Sequence, residues 1–90
     1  MRLIGQGKLL TLKMVNSEIQ SWLCSWVAEV KHAKWKSAEQ VLEQYPLSAK
    51  EVSKGVFEFH IRDHTSSILL NINFTQSIAV IAEIKVRDHV

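Results

Sequence analysis

The apolar period of this chain changes at Pro46, and that change limits the fold to one class. Before it, Ile19, Trp22, Leu23, Trp26, Val27, Val30 and Ala33 recur three and four residues apart. Such spacing lines them along one side of a helix, with Glu18, Gln20, Ser25, Glu29 and Lys31 mostly on the other. Ser17 with Gln20 makes a Ser-x-x-Gln capping box at the start of that helix. Ser37 with Gln40 repeats the device and opens a second, short helix, AEQVLEQY, with Val41, Leu42 and Tyr45 apolar. Pro46 stops it, because a residue before proline is pushed out of the helical region.

After Pro46 the period is two. In VFEFHI, Phe57, Phe59 and Ile61 share a face opposite Val56, Glu58 and His60. In ILLNINF, Ile68, Leu70, Ile72 and Phe74 lie opposite Leu69, Asn71 and Asn73. In IAVIAEIKV, Ile78, Val80, Ala82, Ile84 and Val86 alternate with Ala79, Ile81, Glu83 and Lys85. Turns at RDHTS and TQS join the three runs into an antiparallel meander. Near the start, RLI reads as an edge strand closed by Gly5 and Gly7, and KLLTLKMV as a short helix carrying Leu9, Leu10, Leu12 and Val15. A sheet with one apolar face needs a cover, and the long helix has the matching stripe. The expected architecture is α+β, with N-terminal helices packed on one face of a three- to four-stranded antiparallel sheet, in a single domain over 1–90.

Composition agrees with a folded domain. Ninety residues at 47% apolar exclude disorder, and three glycines with one proline leave little material for linkers. The net charge of +2 and pI near 8.9 are too mildly basic to demand a nucleic-acid partner. Cys24 is the single cysteine, in the most apolar helical stretch, so it reads as a small buried hydrophobe in a reducing compartment. No apolar run is long enough to span a bilayer, and MRLIGQGK has no signal-peptide core. The expectation is a soluble cytoplasmic protein without membrane contact.

Chemistry is sparse. Of His32, His60, His64 and His89, only His60 and His64 are near in sequence, and no cysteine pair or carboxylate cluster joins them, so no metal is expected. Gly-rich phosphate loops and serine-nucleophile elbows are missing. Trp22 and Trp26 belong to the apolar stripe and read as core. Trp35 stands between two lysines and also reads as core rather than a surface contact. Lys31, His32, Lys34 and Lys36 make the end of the long helix basic, where cations complement its dipole or offer a phosphate patch. Two polar stretches remain, RDHTSS at 62–67 and KVRDH at 85–89. Arginine or lysine beside histidine is the composition of a metal-free ribonuclease: the cations stabilise phosphorane charge and histidine moves protons. By composition alone, both stretches are ordinary solvated segments.

The order MRLI, helix, WKSAEQV, VFEFHI and INF resembles the HigB-type toxins of bacterial toxin–antitoxin pairs, in the RelE/ParE superfamily. The resemblance covers nearly the whole chain. Its most specific part runs from Trp26 to Tyr45, through Ala33-Lys34-Trp35-Lys36-Ser37; Phe59 to Ile61, then Ile72, Asn73 and Phe74, follow. It implies a small cytoplasmic endoribonuclease that cuts mRNA at the ribosome, needs no metal or organic cofactor, and is neutralised by a helix-turn-helix antitoxin. The departures lie at the expected site. Where the family has Gly-Asn-x-x-Arg, this chain has Asp63, His64 and Ser67 at the three specified positions. Ala82 replaces a last-strand arginine, and a Thr-His-x-x-Tyr ending becomes Val86 to Val90, with Arg87 in place of the histidine. A shift of one or two residues puts His89 there instead.

Three functions follow. In an active interferase with a rebuilt site, His64, Arg87 and His89 would be catalytic, and Arg62, Lys85, Lys34 and Lys36 would bind RNA. In a catalytically inactive relative, the fold and the antitoxin surface would remain. The third is a protein-interaction module, a homodimer built on an exposed sheet edge.

Overall fold

The computed structural model of the chain describes residues 1–9, 17–61 and 66–85. In order they form β1 (Arg2–Ile4), a 3-10 turn (Gln6–Leu9), α1 (Ser17–His32), α2 (Ala38–Gln44), β2 (Ala49–Ser53), β3 (Val56–His60), β4 (Ser67–Asn73) and β5 (Ile78–Lys85). The strands make one sheet in the order β1-β5-β4-β3-β2.

The helical stripe does what its spacing predicts. Ile19, Leu23, Trp26, Val30 and Ala33 are buried, and Trp22 and Val27 pack at the margin of the core. They meet the inner sheet face, where Phe57, Phe59, Ile61, Ile68, Leu70 and Ile72 are buried. Trp26 sets its edge against Phe59 with ring centres 5.4 Å apart. Trp35 is also buried, and its indole N–H donates to Gln44 Oε1 at 3.0 Å. The Met1 amino group donates to the Lys31 and Ala33 carbonyls, at 2.8 and 2.9 Å, placing a cation at the negative end of α1. At α2, Ser37 is extended as a cap should be, but its side chain makes no capping bond. Gln40 accepts from the Lys36 N–H, one residue before the position a capping box uses.

The sheet departs from the expected three or four antiparallel strands. It has five, and β1 runs parallel to β5, with Arg2 opposite Ile78 and Ile4 opposite Val80. The extra strand is β2. Its sequence, AKEVS, has no apolar alternation because nearly all of it is exposed at the sheet edge. Backbone pairing with β3 and a tight Lys54–Gly55 turn define it instead, with Gly55 at φ 78°. The 3-10 turn at Gln6–Leu9 starts before the expected helix at 8–15, most of which lies outside the described residues.

On β5 the two alternating sets exchange roles along the strand. Ala79 and Ile81 are buried, while Val80 is exposed. A bulge moves the register between Leu69 and Leu70, so that Leu70 faces Ile81 and Leu69 faces Glu83. Ala82 is the extra residue, and the alternation changes phase there. Ile84 then returns to the core side. Gly5 lies against this bulge at φ 92°, and a Cβ there would stand 3.1 Å from the Ile81 carbonyl oxygen. Cys24 is exposed, contrary to the buried reading: it sits on the outward side of α1, off the stripe.

Candidate functional site

Helices cover one face of the sheet, and the polar residues of β2 to β5 gather on the other. Strand register brings them together. Lys50 on β2 stands opposite Glu58 on β3. His60, two residues along, is opposite Ser67 on β4, which is opposite Lys85 on β5. Residues two apart on a strand share a face, so these side chains converge from four strands.

Glu58 is the centre of the group. It is only 4% exposed, although it lies on the face away from the helices. The Ser67 hydroxyl donates to Glu58 Oε2 at 3.0 Å. Lys50 Nζ and Lys85 Nζ lie 3.8 Å from its carboxylate oxygens, and His60 Nε2 lies 3.7 Å away. Burial pushes its pKa up, but the Ser67 hydrogen bond and the charges of His60, Lys85 and Lys50 outweigh it, and the net shift is downward. Glu58 is therefore an ionised carboxylate. The ammonium groups and the imidazole around it are about half exposed or more. One buried anion thus gathers two lysines and a histidine at the surface of this face.

The same register settles where the flanking segments are rooted. Ile61 and Ser66, which border 62–65, are joined by a hydrogen bond from the Ile61 N–H to the Ser66 carbonyl. Lys85, which precedes 86–90, lies at that same end of the sheet, next to the Glu58 group. Arg62, His64, Arg87 and His89 themselves lie outside the described residues. Of the other expected site residues, Lys85 belongs to the group. Lys34 and Lys36 are exposed in the connection between α1 and α2, in the helical layer and apart from it.

Lys50, Glu58 and His60 were not singled out as a site by sequence reasoning. They are separated by up to ten positions, and only the β2–β3 pairing joins Lys50 to the other two. Lys8 is a further cation that sequence reasoning missed. Its Nζ donates to the Ala82 carbonyl at 3.0 Å, at the β5 bulge. Ala82 is where the family resemblance expects an arginine, so a cation from the 3-10 turn reaches a position whose own side chain carries none.

Among the described residues, no group of three or more His, Cys, Asp or Glu is placed to hold a metal ion. No described helix is long and apolar enough to cross a membrane. The family model for HigB toxins, described as the RelE-like toxic component of a toxin–antitoxin system, matches residues 19–87. No curated protein matches the chain.

Proposed function

The chain belongs to the HigB toxin family, the RelE-like toxic components of toxin–antitoxin systems, and from that premise we propose that it is a metal-free mRNA interferase acting in the cytoplasm, at the ribosome. The family implies an antitoxin as its partner; we read that partner as a helix-turn-helix protein. The observation that carries the nuclease reading is the cationic group on the open sheet face, Lys50, His60 and Lys85 around the buried Glu58 carboxylate.

In this reading the RNA backbone lies across that face. Lys50 and Lys85, with Arg62 and Lys8, hold phosphate, and Lys34 and Lys36 add contacts from the helical layer. A general base takes the proton of a ribose 2′-hydroxyl, whose oxygen attacks the adjacent phosphorus. The P–O5′ bond breaks, a general acid protonates the leaving 5′-oxygen, and a cyclic phosphate remains. Histidine suits both roles, so His60, His64 and His89 are the proposed proton carriers. Arg87 and the lysines stabilise the extra negative charge on the phosphorane. Glu58 is a positioning residue: its ion pairs hold the cations around one point.

Induced expression tests the proposal. Growth should stop and transcripts should be cut, and His60→Ala with His64→Ala should abolish both. Normal growth with intact transcripts, while soluble protein accumulates, sinks it. One observation favours a second reading, an inactive family member that still binds an antitoxin. Two positions where the resemblance expects arginine carry Ser67 and Ala82, and the Ser67 hydroxyl is already committed to Glu58.

A further inference from the structure

A second concave site lies on the helical side, far in kind from the cationic face. It is a cavity of about 130 Å³ lined by Trp22, Ser25, Trp26, Glu29, Tyr45 and Ser48. Four of these come from α1 at the spacing of a single helix face, and Tyr45 and Ser48 come from the turn that follows α2. Its walls are aromatic and fixed. Trp22 stacks on Trp26 with ring centres 6.2 Å apart and planes 10° from parallel. Trp26 and Tyr45 both set edges against the buried Phe59, at 5.4 and 5.2 Å. The Tyr45 hydroxyl donates to Glu29 Oε1. Burial, and then the neighbouring Glu29, push the Tyr45 pKa up, so the phenol keeps its proton.

Among the described residues, no cation lines this cavity. It therefore offers one carboxylate and aromatic faces, which together attract a cationic head: the carboxylate by charge and the rings by their quadrupole. One further observation points to a polypeptide rather than a free amine. Leu47, in the same turn as Tyr45 and Ser48, is 95% exposed. Trp and Tyr side chains lining a pocket are the composition of a protein-binding hot spot, and an exposed leucine in the same turn extends the apolar surface around it.

We propose that this cavity receives an arginine side chain of the antitoxin, with Leu47 packing on an apolar neighbour of that arginine. The guanidinium pairs with Glu29 and stacks on Trp22, and the antitoxin is held on the face opposite the cationic group. This assignment rests on the toxin–antitoxin reading of the chain.

The test has two arms. N-acetyl-arginine amide, titrated into the full chain, should shift the Trp22 and Trp26 indole N–H resonances saturably. The citrulline analogue, which is isosteric and uncharged, should not. Glu29→Gln keeps an oxygen to accept the Tyr45 hydroxyl, so the packing survives, and it should remove the arginine response. In the second arm, Glu29→Gln and Leu47→Ser should each weaken the antitoxin complex about tenfold or more. Glu43→Gln, which removes an exposed charge from α2, should leave it unchanged. Equal responses to arginine and citrulline, or antitoxin binding unaffected by Glu29→Gln, overturn the assignment. An antitoxin that fails to bind the wild-type chain overturns the toxin–antitoxin premise instead, and the arginine titration then decides the cavity's preference by itself.

Discussion

Glu58 couples the open face of the sheet to pH. Its folded-state pKa lies below the ordinary value of 4.5, so folding favours the loss of its proton. The stability it contributes is whole above pH about 4.5 and is lost as pH falls through the lower folded value. Glu58→Gln should therefore cost about 1–2 kcal/mol at pH 7 and progressively less in acid, read from urea melts at pH 7 and pH 3. The modest size follows from the lysines: both ammonium groups are well solvated, so their pairing is screened. An equal loss at both pH values would show that shape, not charge, matters at this position. Cys24 gives a second outcome at the same scale. Because it is exposed on α1, a bulky thiol reagent should label it in the native protein without denaturant, leaving the circular dichroism spectrum unchanged.

At the scale of elements, local pattern was enough wherever a segment faces both core and solvent. The α1 stripe, the alternation of β3 and β4, and the stop at Pro46 all appear where the periods put them. Two strands show why the rest was hidden. In β2, apolar alternation has nothing to report because the strand buries almost nothing; pairing to β3 makes it. In β5, alternation is present but a bulge at Ala82 inverts its phase, and a one-residue shift moves a whole set of side chains to the other face. The phase change is measurable. Ile81→Ala should cost about 2–4 kcal/mol, because Ile81 is fully buried, whereas Val80→Ala should cost less than about 1 kcal/mol. Strict alternation from Ile78 gives the reverse order. The bulge also depends on a neighbour: Gly5→Ala, at a positive φ and against the Ile81 carbonyl, should destabilise by about 1–3 kcal/mol.

At the scale of the whole molecule, the candidate site was only partly open to sequence reasoning. Lys85 was identified because it sits beside a visibly polar terminal stretch. Lys50, Glu58 and His60 were not, because strand register, which local periodicity does not encode, brings them together. Opposed faces then carry opposed chemistry: cations on the open sheet, and an acidic aromatic cavity in the helical layer. If the open face binds single-stranded RNA, removing Lys50 and Lys85 together should weaken binding at low salt. It should also flatten the plot of log affinity against log salt by roughly 0.7 for each lost phosphate contact. A slope equal to that of the wild type would place the RNA elsewhere.

The parallel pairing of β1 with β5 has a consequence for how the protein comes into being. Residues 2–4 hydrogen-bond to residues 78–80, so the first strand to leave the ribosome waits for the last. Lys85, at the far end of β5, joins the Glu58 group only then. Contacts this distant along the chain close late and slowly, because the loop entropy is lost before the contact rewards it. Until residues 78–85 are in place, the chain lacks both the paired β1 edge and Lys85 beside Glu58.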